Sequence, residues 1–388
     1  MSEAPSAREI LDALVSFPTV SHETNIPLID WVVGYLTSLG IRAHRMPNRE
    51  GNKHAVFCSV GPDAPGGIVL SGHTDVVPVV GQPWTTDPWE VVEKDGKLYG
   101  RGTCDMKGFD ALALHALQKA LKAPLKRPLQ IALSFDEEIG CTGAPPLINA
   151  MSAAGLPKAE SAIIGEPSMM KCVTGHKGSS GFTVHMRGYE VHSSLLDQGV
   201  SAIMEAARLL QWANERNEDN RSKTPSEMAA QFDPPWTTLH AGKIRGGTAH
   251  NITAKDCHFA LEFRVVPDEE VDDWADLVRD AAAEIERGMQ AVHLSTGIDL
   301  EPYALVPGLV PEEDGAAEAL VRRLTGDNAS HVVSYGTEAG HFQSAGYSSV
   351  ICGPGDIAQA HQADEWLSIE QFEAGEAFLS KIVDSLCE

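Results

Sequence analysis

Histidine and acidic residues recur where apolar segments of this sequence end. The intervals between them are regular: 73 to 105 is 32 residues, 105 to 137 is 32, and 138 to 166 is 28. Each interval is about the length of one strand–helix unit, and the carboxyl ends of parallel strands meet at one edge of a sheet. The spacing therefore predicts that one crevice collects the side chains of His73, Asp75, Asp105, Glu137, Glu138, Glu166 and His361.

Such a crevice would suit metal chemistry. Several carboxylates at one sheet edge repel one another and raise each other's pKa values unless a cation compensates them. Carboxylate and imidazole donors suit Zn²⁺, with Co²⁺ or Mn²⁺ as alternatives. The donors outnumber the ligands of a single tetrahedral ion, which favours two metal ions. A lone aspartate at a helix start would instead be read as an N-cap, so the prediction depends on five segments acting together.

The elements that would position these residues form two domains. Nearly continuous apolar strands at 66–73, 129–136, 161–166 and 347–354 alternate with helical segments, which predicts an α/β fold with a mostly parallel sheet flanked by helices. Between them, an order of strand–helix–strand–strand–helix–strand predicts an inserted α+β, ferredoxin-like domain. We expect a di-metal catalytic domain over 1–178 and 305–388, and a dimerisation and lid domain over 179–304. The open sheet of the inserted domain predicts a homodimer.

Composition narrows the class of protein. The chain has 388 residues, 43% of them hydrophobic and 22% charged, as in ordinary globular proteins. A formal net charge of −24 disfavours nucleic acid and anionic membranes as partners. The N-terminal segment lacks signal-peptide features and no apolar run reaches the roughly 20 residues of a membrane span, which predicts a cytoplasmic protein. Seven scattered cysteines predict reduced thiols rather than disulfides or a thiolate zinc site.

Five motifs resemble one known family. They are "SGHTDVVPV", "YGRGTCDMKGFDA", "SFDEEIGCTGA", "IIGEPS" and "AQAHQADEWL". In this order and spacing they resemble the metallo-amidohydrolases that include acetylornithine deacetylase, succinyl-diaminopimelate desuccinylase and glutamate carboxypeptidase. The resemblance covers essentially the whole chain. It implies one zinc ion held by His73 and Glu166, a second held by Glu138 and His361, and Asp105 as a bridge between them.

The resemblance also implies roles in catalysis. Glu137 would be the general base that takes a proton from the attacking water and returns it to the leaving amine. Asp75 would fix the tautomer of His73. His192, in "GYEVHSS", would donate a hydrogen bond to the carbonyl oxygen as negative charge develops there. In dimeric relatives this histidine reaches the site from the partner subunit. Asp136 is interpreted as a hydrogen-bond acceptor at the strand end.

Substrate contacts follow from the same resemblance. Arg264 would bind the substrate α-carboxylate with its guanidinium fork. Glu338 would meet a substrate ammonium group or hold a loop, and the two alternatives stay open. The other predicted contacts are Asn251 and the backbone of Gly353 and Gly355.

The motifs most resemble the acetylornithine deacetylase branch of the family. That branch removes acetyl from N2-acetyl-L-ornithine in arginine biosynthesis, and it implies a small-molecule N-acyl amino acid as the substrate. A desuccinylase or a broader N-acyl-amino-acid hydrolase is the alternative. A catalytically silent scaffold is disfavoured because every family ligand is present. A hydrolase with Ser71 or Cys104 as nucleophile is disfavoured because no G-x-S-x-G motif is present.

Overall fold

The computed structural model describes residues 4–388 and divides the chain into two compact units. The first unit runs to Gly175 and continues over Pro311–His331 and Thr337–Glu388. The second unit comprises His176–Val310 and the short segment Val332–Gly336. The sequence analysis did not predict that the segment Val332–Gly336 belongs to the second unit. Within residues 4–388, no helix is both long and apolar enough to cross a membrane.

The helices and strands are numbered in chain order. The α-helices of the described chain are α1 (Ala7–Val15), α2 (Ile26–Ser38), α3 (Lys107–Ala120), α4 (Ala144–Ala153), α5 (Ala202–Ser222), α6 (Val271–Val292), α7 (Ala316–Thr325), α8 (Ala339–Ser344) and α9 (Ile369–Ser385). The strands are β1 (His44–Pro47), β2 (His54–Val60), β3 (Ile68–His73), β4 (Val92–Lys94), β5 (Lys97–Tyr99), β6 (Leu129–Ser134), β7 (Ser161–Pro167), β8 (Val173–His176), β9 (Gly178–Arg187), β10 (Thr238–Gly246), β11 (Asp256–Val265), β12 (Gly297–Val306), β13 (His331–Val333), β14 (Ser348–Gly353) and β15 (Trp366–Ser368).

The sheet of the first unit has four central parallel strands. Within the first unit its described order is β1-β2-β6-β3-β7-β14-β8, and the pairs β3–β6, β3–β7 and β7–β14 are parallel. Every residue of β3, β6 and β7 is buried, which fits strands covered on both faces. Apolar side chains of α1, α2, α3 and α9 share one core cluster with those of the sheet. The predicted mostly parallel α/β fold is confirmed.

The second unit has an α+β architecture, with helices packed on one face of an antiparallel sheet. Its strands form an antiparallel sheet in the order β10-β11-β9-β12. Burial alternates along β9 and β11, so one face carries apolar side chains and the other carries polar ones. Helices α5 and α6 pack against the apolar face through residues such as Leu209, Val278 and Ile285. The predicted order of strands and helices is confirmed.

Two features of the first unit were absent from the sequence prediction. Strands β1 and β2 add an antiparallel edge to the parallel strands, through β2–β6 pairing. A separate small sheet has the order β15-β5-β4. Strands β1, β4, β5 and β15 are only three or four residues long, so hydrophobic periodicity does not reveal them, and β2 was not predicted although most of its seven residues are buried.

Candidate metal centre

Two groups of potential metal ligands share one aspartate at the carboxyl end of the parallel strands. His73, the last residue of β3, places its Nε2 3.0 Å from Asp105 Oδ1 and 3.7 Å from Glu166 Oε1. His361 places its Nε2 3.1 Å from the other oxygen of Asp105, Oδ2, and 3.0 Å from Glu138 Oε2. Asp105 therefore lies between two sets of imidazole and carboxylate donors, which is the arrangement of a bridging ligand.

The donors fit a pair of divalent ions. Glu166 Oε1 is buried and has no hydrogen-bond partner among the residues that the structure describes. A buried carboxylate oxygen without a partner costs free energy, and coordination of a cation removes that cost. Besides the shared Asp105, one set offers His73 and Glu166 and the other offers His361 and Glu138, which suits Zn²⁺ or a similar transition-metal ion.

Crowding of the carboxylates perturbs their protonation. Burial, together with the charges of Asp105 and Glu137, raises the pKa of Glu166 well above its usual value. Burial and the charge of Asp105 raise the pKa of Glu138 to about 7. Hydrogen bonds to Asp105 and Glu138 raise the pKa of His361 to about 10. Burial among like charges raises the pKa values of the two carboxyls, hydrogen bonds to carboxylates raise that of His361, and a bound cation would oppose all three shifts.

Glu137 lies beside the set of His73 and Glu166, and these three residues offer donor atoms within 4.8 Å of one another. Its Oε2 is 3.9 Å from His73 Nε2, and its Oε1 accepts a hydrogen bond from the Cys141 thiol at 3.3 Å. The backbone N–H of Glu137 donates to Asp75 Oδ1 at 3.2 Å. Burial raises the pKa of its carboxyl well above the usual value. A carboxylate of raised pKa near the reacting groups is suited to accept and return a proton.

Asp75 contacts His73 through its backbone rather than through its carboxylate, which differs from the role that the resemblance implied. The Nδ1 of His73 hydrogen-bonds to the backbone carbonyl of Asp75 at 2.9 Å, whereas the Asp75 carboxylate is 3.6 Å away. The carboxylate instead accepts hydrogen bonds from the Ser21 hydroxyl and from the backbone N–H groups of Glu137 and Glu138. Asp75 thus orients the imidazole of His73 with its backbone and the segment of Glu137 with its side chain.

A buried glutamate that the sequence reasoning missed holds the loop of Asp105. Glu365 Oε1 accepts backbone N–H groups of Gly102, Cys104 and Asp105, each at 3.0 Å. Its Oε2 pairs with Arg101 at 2.6 Å, and both side chains are 1% exposed. Three N–H groups converging on one carboxylate fix the loop conformation, so Glu365 positions Asp105.

His361 adopts an uncommon backbone conformation. Its φ is 62°, a left-handed value that non-glycine residues rarely take. The side chain of Gln82 donates to the His361 carbonyl at 2.9 Å, and Gln82 in turn accepts from Arg101 at 2.5 Å. Through Arg101, the segment of His361 and the loop of Asp105 belong to one hydrogen-bond network.

Asp136 is confirmed as a hydrogen-bond acceptor at the end of β6. Its carboxylate accepts from the ammonium group of Lys53, which also donates to the carbonyl of Ser21. The Lys53 and Asp136 side chains are 9% and 12% exposed, so the ion pair is largely buried. The pair anchors the segment that leads into Glu137.

Replacement of Lys53 with methionine should lower the free energy of unfolding by about 3 kcal/mol, because Asp136 stays buried without its counter-charge. Denaturant titration of the purified protein measures the change. The control is Arg45→Ala, which breaks the exposed Arg45–Asp30 pair (2.6 Å; side chains 34% and 57% exposed) and should cost less than about 1 kcal/mol. Equal losses in the two variants would contradict a structural role for the buried pair.

In the second unit, His192 begins the 3₁₀ helix Ser193–Gln198 and is exposed. Its Nδ1 accepts the backbone N–H of Ser194 at 3.3 Å, which leaves the ring proton on Nε2 when the imidazole is neutral. Asn251 is also exposed, and its carbonyl accepts the N–H of Ser193 at 2.9 Å. His192 and Asn251 therefore lie on adjacent segments. The Nε2–H of His192 is available as a hydrogen-bond donor when the imidazole is neutral.

The remaining predicted substrate contacts have different surroundings. Arg264 is on β11 with a 37% exposed side chain, 3.7 Å from Glu262. Glu338 is 1% exposed and accepts hydrogen bonds from Ser71 and Ser134, which favours the structural alternative for this residue.

Gly353 and Gly355 use their backbone groups within the fold. The N–H of Gly353 donates to Ser168 at 3.1 Å, and that of Gly355 donates to Gln371 at 3.3 Å. A Cβ on Gly353 would collide with the carbonyl of Gly165, so glycine allows close packing there. Their carbonyl oxygens are engaged as well, since that of Gly353 accepts the N–H groups of Ser168 and Met170 and that of Gly355 accepts the N–H of Met169.

Comparisons with known proteins identify the family. The sequence model of peptidase family M20/M25/M40 matches residues 69–385. An acetylornithine deacetylase from Myxococcus xanthus is 35% identical, with 99% of this chain and 98% of the relative covered. One from Pasteurella multocida is 31% identical over the whole of both chains. The chain therefore belongs to peptidase family M20/M25/M40, and it is a hydrolase.

Solved structures share the fold. An M20 family metallo-carboxypeptidase from Sulfolobus solfataricus has a TM-score of 0.79 at 16% identity, with 99% of each chain covered. A dinuclear metal-binding peptidase of the same family from Bacillus subtilis has a TM-score of 0.65 at 14% identity, with 97% of this chain and 96% of the other covered. At these identities the likeness concerns the fold alone.

Proposed function

We propose that the protein removes the acetyl group from N2-acetyl-L-ornithine and yields L-ornithine and acetate, a step of arginine biosynthesis. The observation that carries the proposal is the pair of ligand sets around Asp105, with the Glu137 carboxylate 3.9 Å from His73 Nε2. We assign His73, Asp105 and Glu166 to one Zn²⁺ ion and Glu138, Asp105 and His361 to the second. Co²⁺ is expected to substitute for Zn²⁺ because both accept imidazole and carboxylate donors.

Two ions held by these residues would supply a Lewis acid for the amide carbonyl and would lower the pKa of a water molecule. Glu137 accepts a proton from the attacking water and later returns it to the amine nitrogen. The C–N bond of the amide breaks as a C–O bond forms, so water and amide become carboxylate and amine. The Cys141 thiol and the backbone contact to Asp75 keep the Glu137 carboxyl in position.

Residues of the second unit supply recognition and charge stabilisation in this proposal. The partly exposed guanidinium of Arg264 makes a 3.7 Å ion pair with Glu262, and in this proposal it offers two N–H groups to the substrate α-carboxylate. Asn251 is proposed to donate a further hydrogen bond to the substrate. His192 donates from Nε2 to the carbonyl oxygen as it gains negative charge. We propose a homodimer in which this histidine serves the site of the partner subunit.

The choice of substrate rests on the relatives from M. xanthus and P. multocida, both named acetylornithine deacetylase. The second candidate is the hydrolysis of succinyl-diaminopimelate or of a broader range of N-acyl amino acids. A succinyl group carries one more carboxylate than an acetyl group and would require a further cationic partner in the acyl pocket.

Rates for a panel of acetyl and succinyl amino acids, assayed with added Zn²⁺ or Co²⁺, test the proposal. N2-acetyl-L-ornithine should give the highest kcat/KM. A higher kcat/KM for succinyl-diaminopimelate would establish the second candidate. Failure of every amide in the panel, with metal bound, would overturn the assignment of the reaction.

The metal assignment predicts two ions per chain and a loss of about one ion on replacement of His361 with alanine. His361 supplies the imidazole of its ligand set, and the carboxylates of Glu138 and Asp105 alone would bind an ion more weakly. Metal analysis after mild dialysis gives the number of ions. His115→Ala is the control, since this partly exposed histidine pairs with Glu376 at 3.1 Å and takes no part in the ligand sets. One ion per chain in the fully active wild type would contradict two-metal binding.

A further inference from the structure

A second group of potential metal ligands lies on the polar face of the sheet in the second unit. We call it the sheet-face cluster: His185 on β9, with Asp256 and His258 on β11. The register places His185 directly opposite His258. Asp256 is two residues from His258 on the same strand, so all three side chains point to the same face. Their neighbours Val184, Cys257 and Phe259 point into the apolar core on the other face.

The three side chains already converge. His185 Nε2 is 2.8 Å from Asp256 Oδ1, and the imidazole rings of His185 and His258 stack with centroids 4.0 Å apart. One donor atom from each residue lies within 4.8 Å of the others. Two ligands of one Zn²⁺ ion, each about 2.1 Å from it at a tetrahedral angle, are about 3.4 Å apart. Small rotations of these side chains would therefore bring all three donors onto one ion.

A further carboxylate faces the other nitrogen of His185. Asp299 Oδ2 on β12 is 3.6 Å from His185 Nδ1 and pairs with Arg187 at 2.5 Å. This separation is too long for a hydrogen bond, but the carboxylate lies on the side of the ring where metal-binding histidines typically donate their second N–H to a carboxylate. Arg187 balances Asp299, so the negative charge of Asp256 remains to attract a cation.

We propose that the sheet-face cluster binds one transition-metal ion of the Zn²⁺ type through His185 Nε2, Asp256 and His258. Two imidazoles and one carboxylate suit Zn²⁺, Ni²⁺ or Cu²⁺ and leave a fourth position open to water. The bound ion cross-links β9 and β11 near the end of β9. The site shares no residue with the ligand sets of the first unit, so its occupancy is separable from that of the proposed catalytic pair.

The number of zinc ions bound to untagged, full-length protein tests the proposal. Equilibrium dialysis against a series of buffered free Zn²⁺ concentrations should give one ion fewer for His185→Asn/His258→Asn than for the wild type. Asp256→Asn should lower the affinity for the same ion while both histidines remain in place. The two histidine substitutions should leave the basal hydrolytic activity unchanged, which also verifies that the variant is folded.

Two controls make the test specific. His240→Asn replaces an exposed histidine on β10 of the same sheet and should bind as much zinc as the wild type. Glu138→Gln/His361→Ala should lose ions of the first unit and still differ by one ion from the same chain with His185 and His258 also replaced. This difference is measured whether or not the catalytic assignment holds. Equal zinc binding in the wild type and in His185→Asn/His258→Asn at every concentration would show that the cluster is an ionic network only and would overturn the proposal.

Discussion

Replacement of Glu137 with glutamine is expected to lower kcat by about 10²–10⁴-fold while both metal ions stay bound. The substitution keeps the shape of the side chain and removes its ability to accept a proton. Glu137 contacts His73 and Cys141 but belongs to neither ligand pair around Asp105. Loss of turnover without loss of metal is therefore the signature of a general base.

Metal analysis and steady-state kinetics on the same preparation check this result. Glu138→Gln is the matched control, since it changes the adjacent residue, whose Oε2 is 3.0 Å from His361 Nε2. That variant should lose metal as well as activity. A Glu137→Gln protein that keeps both ions and a kcat near the wild-type value would refute the assignment.

Replacement of His192 with alanine is expected to lower kcat by about 10²–10³-fold, with fold and metal content retained. The histidine is exposed and its Nδ1 accepts from Ser194, so the Nε2–H is the group that is lost. A donor that acts mainly on the developing charge should affect kcat more than KM. His240→Ala, a substitution of another exposed histidine of the second unit, is the control and should leave kcat unchanged.

Mixing the two inactive variants tests whether His192 acts across a dimer. If the donor comes from the partner subunit, a heterodimer of His192→Ala and Glu137→Gln chains has one site with both residues intact. Random pairing makes half of the dimers heterodimers, so about one quarter of the wild-type activity should return. If native mass spectrometry shows that heterodimers form and no activity returns, the donor acts within its own subunit.

Sequence periodicity predicted the parts of the fold that depend on burial. The buried strands β3, β6 and β7 read as apolar runs because both faces of each strand are covered. Their spacing also predicted that His73, Asp105 and Glu166 meet, since parallel strands end at a common edge. The distances of 3.0 and 3.7 Å from His73 Nε2 agree with that expectation.

The supporting contacts could not be predicted in the same way. Glu365 acts on backbone N–H groups, which every residue carries, so the identities of Gly102 and Cys104 give no signal of the contact. Lys53 and Asp136 are 83 positions apart, and only the folded chain brings them together. The backbone carbonyl and the carboxylate of Asp75 belong to one residue, and the sequence cannot distinguish which of them orients His73.

The order of the ligands along the chain has a consequence for biosynthesis. His361 follows Glu166 by 195 positions (361 − 166), and the whole of the second unit is translated between them. Strand β14, which precedes His361, must pair with β7 across the same interval. Contacts between such distant segments form late, because the loop between them must close first. A nascent chain therefore exposes the three proposed acidic ligands Asp105, Glu138 and Glu166 without their second imidazole until synthesis is almost complete, and the proposed loading with metal becomes a step that follows release from the ribosome.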